Sequence, residues 1–140
     1  MDIKQLIGET TYYDKKLALE TKRPKSWCKS ISAFANCFGG KLVFGVADDD
    51  ELVGLANAEE DAEKISEAIK IHLNPIPDVK LFFQKDVAKT FIIVEVMKGQ
   101  QTPYYYDGDG QLVAFMRIGN ESVPATPSQL RELVLRGSGE

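Results

Sequence analysis

Two sets of charged side chains in this chain have types and spacings suited to chemistry. Lys15, Lys16, Lys22, Arg23, Lys25 and Lys29 crowd a short stretch before and into an apolar segment. Cations gathered in this way neutralise phosphates and supply the sequence-independent part of nucleic-acid affinity. The same residues also read as a solvated, flexible loop. The second set is acidic. Asp48, Asp49 and Asp50 stand in a row where the run Leu42, Val43, Phe44 gives way to a turn, and acidic side chains at such a rim are either solvated or used. Glu9 and Asp14 lie five apart, a spacing that points them to opposite faces of an extended strand unless a bend or bulge intervenes. Arg117, close to Gly119 and Asn120, is a candidate to reach a phosphate or a carboxylate.

Other candidates read more simply. Asn36 can cap local backbone groups or touch a ligand. Tyr104, Tyr105 and Tyr106 can stack on bases, although a run of this kind more often packs along a strand. His72 is the single histidine and sits on an apolar helical stripe, the place of a satisfied core or boundary residue rather than a catalyst. Cys28 and Cys37, nine apart on one expected helix, are more than two turns apart and cannot bridge. Neither belongs to a zinc pattern, and both read as buried small residues. Gly39, Gly40 and Lys41 lack the first glycine and the hydroxyl of a P-loop.

The elements that must position these residues follow from periodicity. Asp2 caps a short helix over residues 2–7, and residues 10–19 form a strand. Ser26 caps the next helix. There Trp27, Ile31, Phe34, Ala35 and Phe38 share one face, with Ser30, Ala33 and Cys37 on a second, small-residue side. The double glycine Gly39, Gly40 ends it. Strands are expected over 41–46 and 51–55, then a helix over 59–73. A hairpin of strands over 79–84 and 90–96 follows, then a short segment over 102–106, a turn over 107–110 and a strand over 112–118. The last helix, over 127–135, has Thr126 as N-cap and Pro127 at its first position.

The chain has 140 residues, 44% hydrophobic and 27% charged, as expected of one globular domain. No apolar stretch reaches the roughly 20 residues of a membrane helix, and residues 1–6 lack a signal-peptide pattern, so the expected location is cytoplasmic with no membrane partner. The net charge of −4 is uneven: residues 1–41 carry +4 and the remainder −8. The basic third could face a polyanion. Residues 136–140 carry no core signal, as at a boundary inside a longer chain.

Several segments share a pattern. Glu9 and Thr10 lead to Asp14 and Lys16. Ile31, Ala33, Phe34, Ala35 and Asn36 lead to Gly39 and Gly40. Leu42, Gly45, Val46, Asp48 and Asp49 lead to Gly54. Pro103, Tyr105 and Tyr106 are followed by Arg117, Gly119, Asn120 and Ala125. Together these resemble the AlbA_2 (Schlafen-like) DNA-binding domain family of bacterial transcriptional regulators. Asp14 stands where a Glu is usual, and Asp50 where Gly is common. In some members of the eukaryotic Schlafen branch three carboxylates form a nuclease site. By that resemblance they fall near Glu9, Asp14 and Asp48 or Asp49, where Mg²⁺ or Mn²⁺ would be held and water activated.

The expectation is therefore an α+β domain spanning 1–140, the N-terminal part of a longer chain, with a mixed, largely antiparallel sheet and about four helices. Its expected partner is nucleic acid, DNA before RNA, bound through the six cations and Arg117. The alternatives are a metal-dependent nuclease and a homodimer formed through exposed strand edges.

Overall fold

A computed structural model of the chain describes residues 13–139. The helix expected over 2–7, the start of the strand expected over 10–19, and Glu9 lie outside the described residues. Among these, three helices accompany eight strands in two four-stranded sheets. In chain order they are β1 (Tyr13–Lys16), α1 (Lys25–Asn36), β2 (Gly40–Phe44), α2 (Ala58–His72), β3 (Leu73–Asn74), β4 (Val79–Asp86), β5 (Lys89–Val96), β6 (Tyr105–Gly108), β7 (Gln111–Ile118), β8 (Glu121–Pro124) and α3 (Pro127–Gly137). The first sheet has the order β1-β2-β5-β4 and the second β3-β6-β7-β8. Only β1 and β2 pair in parallel, joined by the α1 crossover; the other pairs are antiparallel. The expected α+β class, largely antiparallel, is what the chain adopts.

Helix α1 lies between the two sheets, which explains its composition. Its second half, residues 30–36, is buried on every side, so polar and apolar faces do not alternate there as on a surface helix. Trp27, Cys28, Ile31, Phe34 and Ala35 are buried, and so are Ser30, Ser32 and Asn36. Trp27 meets Phe44 of β2 edge to face, with ring centroids 5.7 Å apart. Toward the second sheet the polar side chains do the joining. The β6–β7 ladder stops at the pair Tyr105 and Ala114. The next backbone groups, on Tyr104 and Phe115, bond to α1 instead. Asn36 Oδ1 accepts from Tyr104 N at 2.7 Å, and Asn36 Nδ2 donates to Tyr104 O at 3.0 Å and Phe115 O at 2.9 Å. Ser32 Oγ donates to Tyr104 O at 2.7 Å and accepts from Phe115 N at 3.1 Å. Asn36 thus bonds the backbone of a distant sheet, not the local backbone groups expected.

Where α1 ends, Gly39 has φ +81°, a conformation side chains rarely adopt, and a Cβ on Gly40 would lie 2.5 Å from the Phe34 ring. The helix unwinds after Asn36, so Phe38 does not share the buried face as expected. It is 68% exposed, with the Lys98 ammonium 5.5 Å from its ring centroid. Three further expectations need correction. Pro24, not Ser26, is the N-cap of α1, and no side chain caps it. The strand expected over 51–55 is a single bridge between Val46 and Leu52, because residues 47–51 form a tight turn closed by Asp50 N to Ala47 O. Cys37 is only half-buried; its sulfur accepts from Arg117 N at 3.3 Å. Thr126 and Gln129 form the capping box of α3.

Candidate nucleic-acid interface

Strand β1 divides the charged residues between two faces. Side chains alternate along a strand. Asp14 and Lys16 register with Leu42 and Phe44, which belong to the core around α1, whereas Lys15 registers with Val43 on the other face. Lys15 Nζ accordingly donates to Asp48 O at 2.7 Å and to the Asp50 carboxylate. The Asp50 hydrogen bond is the main cause of the upward shift of the Lys15 pKa. Lys15 is thus tied to the acidic turn. Asp49 Oδ1 accepts from Glu51 N at 3.1 Å within that exposed turn.

Asp14 turns the other way. Its Oδ2 accepts from Ser30 Oγ of α1 at 2.6 Å and lies 3.7 Å from Arg117 Nη1. The structure therefore brings Asp14 together with Arg117 and separates it from Asp48 and Asp49 by the thickness of a strand. Among the described residues no three His, Cys, Asp or Glu side chains gather as metal ligands would. The proposed partner Glu9 lies outside them.

Arg117, on β7, has only 3% of its side chain exposed. Nη1 donates to Ser122 Oγ at 2.8 Å and Nη2 to Tyr13 O at 3.1 Å, and the guanidinium lies 5.0 Å from the Phe34 ring centroid. Ser122 Oγ in turn donates to Ser30 Oγ at 3.4 Å. Around this network lies a cleft of about 400 Å³, with Lys16 and Lys29 on its walls together with Asn120 and Glu121.

A second cleft, of about 480 Å³, opens at the start of α1. Lys22, Arg23, Lys25 and Lys29 line it, with Tyr106 behind them and Asp109 as the single carboxylate. The first turn of α1 carries no acidic residue, so the positive end of the helix dipole adds to these cations. Ser26 Oγ, also in the wall, is buried without a hydrogen-bond partner among the described residues. Lys29 belongs to both clefts. Five of the six expected cations, all but Lys15, thus line one or the other of two clefts that share Lys29. Tyr104 and Tyr106 are buried, consistent with strand packing rather than base stacking. His72 stacks on Tyr106 and its Nδ1 lies 2.8 Å from Asp107 O.

Ser30 and Ser122 were missed by sequence reasoning as site residues. Ser30 had a signal, its place on the small-residue side of the helix. Ser122 had none, because its role depends on β8 folding back against β7.

The fold places this molecule among α+β domains built on a helix held between two sheets. More narrowly, the chain belongs to the Schlafen, AlbA_2 family, whose pattern matches residues 9–126. Two solved structures share the fold. One is the DIP2311 protein from Corynebacterium diphtheriae, with 14% identity and a TM-score of 0.64; the match covers 88% of this chain and only 23% of that one. The other is the N-terminal domain of a protein from Nitrosomonas europaea named as related to the ATP-dependent DNA helicase RecG, with 22% identity and a TM-score of 0.57, covering 84% of each chain. No curated protein matches.

Proposed function

We propose that this domain binds the sugar-phosphate backbone of nucleic acid, DNA in preference to RNA, as the N-terminal domain of a cytoplasmic bacterial transcriptional regulator. The observation that carries the reading is the pair of adjoining clefts with Lys29 in common. They gather Lys16, Lys22, Arg23, Lys25 and Lys29 on a chain whose net charge is −4. Such a concentration of cations against the overall charge steers a polyanion to one place. The family resemblance to DNA-binding domains and a structural neighbour named after a DNA helicase point in the same direction. Among the described residues no helix is long and apolar enough to cross a membrane.

The test is fluorescence anisotropy with labelled single- and double-stranded DNA and RNA over a salt series. Five phosphate contacts predict that log K falls with log salt with a slope of about −3 to −5. A flat response would remove the proposal. The same incubations carry Mn²⁺ or chelator: binding without cleavage fits this reading, and metal-dependent loss of substrate would assign the carboxylates a nuclease role instead.

A further inference from the structure

We infer that the cleft around Arg117 is a seat for one phosphate group, an inference that rests on the nucleic-acid reading and says where on the surface a phosphate is held most closely. The guanidinium is almost fully enclosed, yet it is incompletely satisfied. Its two hydrogen bonds go to neutral oxygens, those of Ser122 and Tyr13. Its Nε is buried and has no partner among the described residues. Among the described residues one carboxylate, Asp14, forms an ion pair with it at 3.7 Å, beyond hydrogen-bonding distance, and its Oδ2 is already occupied by Ser30. With one ion pair, the Phe34 ring beside it and an open Nε donor, this buried cation is only partly compensated. The planar fork of Arg matches the oxygens of a phosphate. Lys16 and Lys29 stand at the same cleft, and Ser30, Ser122 and Asn120 add neutral polar groups.

Two carboxylates, Asp14 and Glu121, line the cleft and oppose an anion. Among the described residues these two stand against three cations, Lys16, Lys29 and Arg117, a local charge of +1. Asp14 is the nearer to Arg117, so it acts as a built-in competitor that the phosphate must outweigh. This gives the inference a direction no structural role for the pair would share. Neutralising Asp14 should raise phosphate affinity while lowering stability.

The experiment uses the full chain and three probes: inorganic phosphate, a short single-stranded oligonucleotide with a 5′-phosphate, and the same oligonucleotide with a 5′-hydroxyl. Asp14→Asn is expected to tighten phosphate binding about tenfold, close to 1.4 kcal/mol. Lys16→Glu with Lys29→Glu, two changes outside the Arg117 hydrogen bonds, is expected to weaken it by at least as much. Tightening confined to the 5′-phosphate probe means that the cleft takes a strand end. Tightening of both oligonucleotides means that it takes an internal phosphodiester. Circular dichroism reports whether each variant is folded. Should Asp14→Asn fail to fold, Lys16→Glu alone decides, because Lys16 lines this cleft and not the other. Phosphate affinity unchanged in the folded variants, or abolished by Asp14→Asn, would overturn the inference. If oligonucleotides still bind with a steep salt slope, only this cleft assignment fails; if they do not, the broader reading fails with it.

Discussion

Helix α1 sends polar side chains to two places, and they end there in opposite conditions. Ser32 and Asn36, one turn apart, face the second sheet and are saturated. Each backbone group they meet on Tyr104 and Phe115 has a partner, and both side chains are fully buried. Ser30, two residues from Ser32 and so roughly 200° around the helix, faces β1 and β8 instead. There it joins Asp14, Ser122 and Arg117 in a network that keeps one buried donor open and has a solvent cleft beside it. Similar residues on one helix therefore serve different ends. A closed network has nothing left to offer a ligand and contributes to the joining of the two sheets. An open one, charged and next to water, is where a ligand can complete the bonding.

The contrast is most severely tested at Asn36. Asn36→Ala leaves the Tyr104 N–H without its bond and removes two more bonds to carbonyls, in a place water does not reach. The expected loss is about 3 kcal/mol, since each orphaned buried group costs about 1–3 kcal/mol. That is a large part of the roughly 5–15 kcal/mol of a typical domain. Urea denaturation should show a lower midpoint, while phosphate affinity of the folded fraction stays unchanged. A variant that keeps its midpoint would show that the joint is not what holds the sheets to α1. Lys29→Glu should behave in the opposite manner. Lys29 borders both clefts, so nucleic-acid affinity should fall about tenfold or more in anisotropy. Stability should stay within about 0.5 kcal/mol, the usual range for surface changes. Loss of stability without loss of affinity would merge the two regions into one structural network.

The sequence revealed what depends on neighbours along the chain. The apolar period of α1, the reversal of the chain into β2 at Gly39 and Gly40, the β4–β5 hairpin and the Thr126 cap were all legible because each is a local pattern. Phe38 misled because one helical face was extended two residues beyond the point where the backbone unwinds. Leu52 misled because an apolar residue after a turn looks like a strand whether or not the ladder continues. The role of Asn36 was hidden, since it depends on backbone groups at 104 and 115 that no spacing connects to it. The cleft was hidden for the same reason: Asp14 and Arg117 meet only after β7 has been laid near β1. The division of Lys15 from Lys16, by contrast, was implicit in strand alternation, and grouping all six cations together passed over it.

That division carries the smallest expected effect. Lys15 and Asp50 form an ion pair in which 22% and 66% of the side chains are exposed, so solvent screens it and its contribution should be about 0.5 kcal/mol. The Lys15 pKa is raised in the folded state, chiefly by the hydrogen bond to Asp50. The sign follows from linkage. The stabilisation is fully present below the ordinary lysine pKa and disappears as pH rises through the higher folded value. Lys15→Met should therefore lower stability slightly at neutral pH, with the difference from the parent chain closing in strongly alkaline solution. Nucleic-acid affinity should change by less than about twofold, because the Lys15 ammonium is directed to the acidic turn and not to either cleft. Lys16→Met, one residue along and on the other face, should weaken binding more. If the two variants bind alike, alternation along β1 does not decide which cations meet the phosphates, and the separation between an anchoring face and a binding face collapses at the strand where it is most sharply drawn.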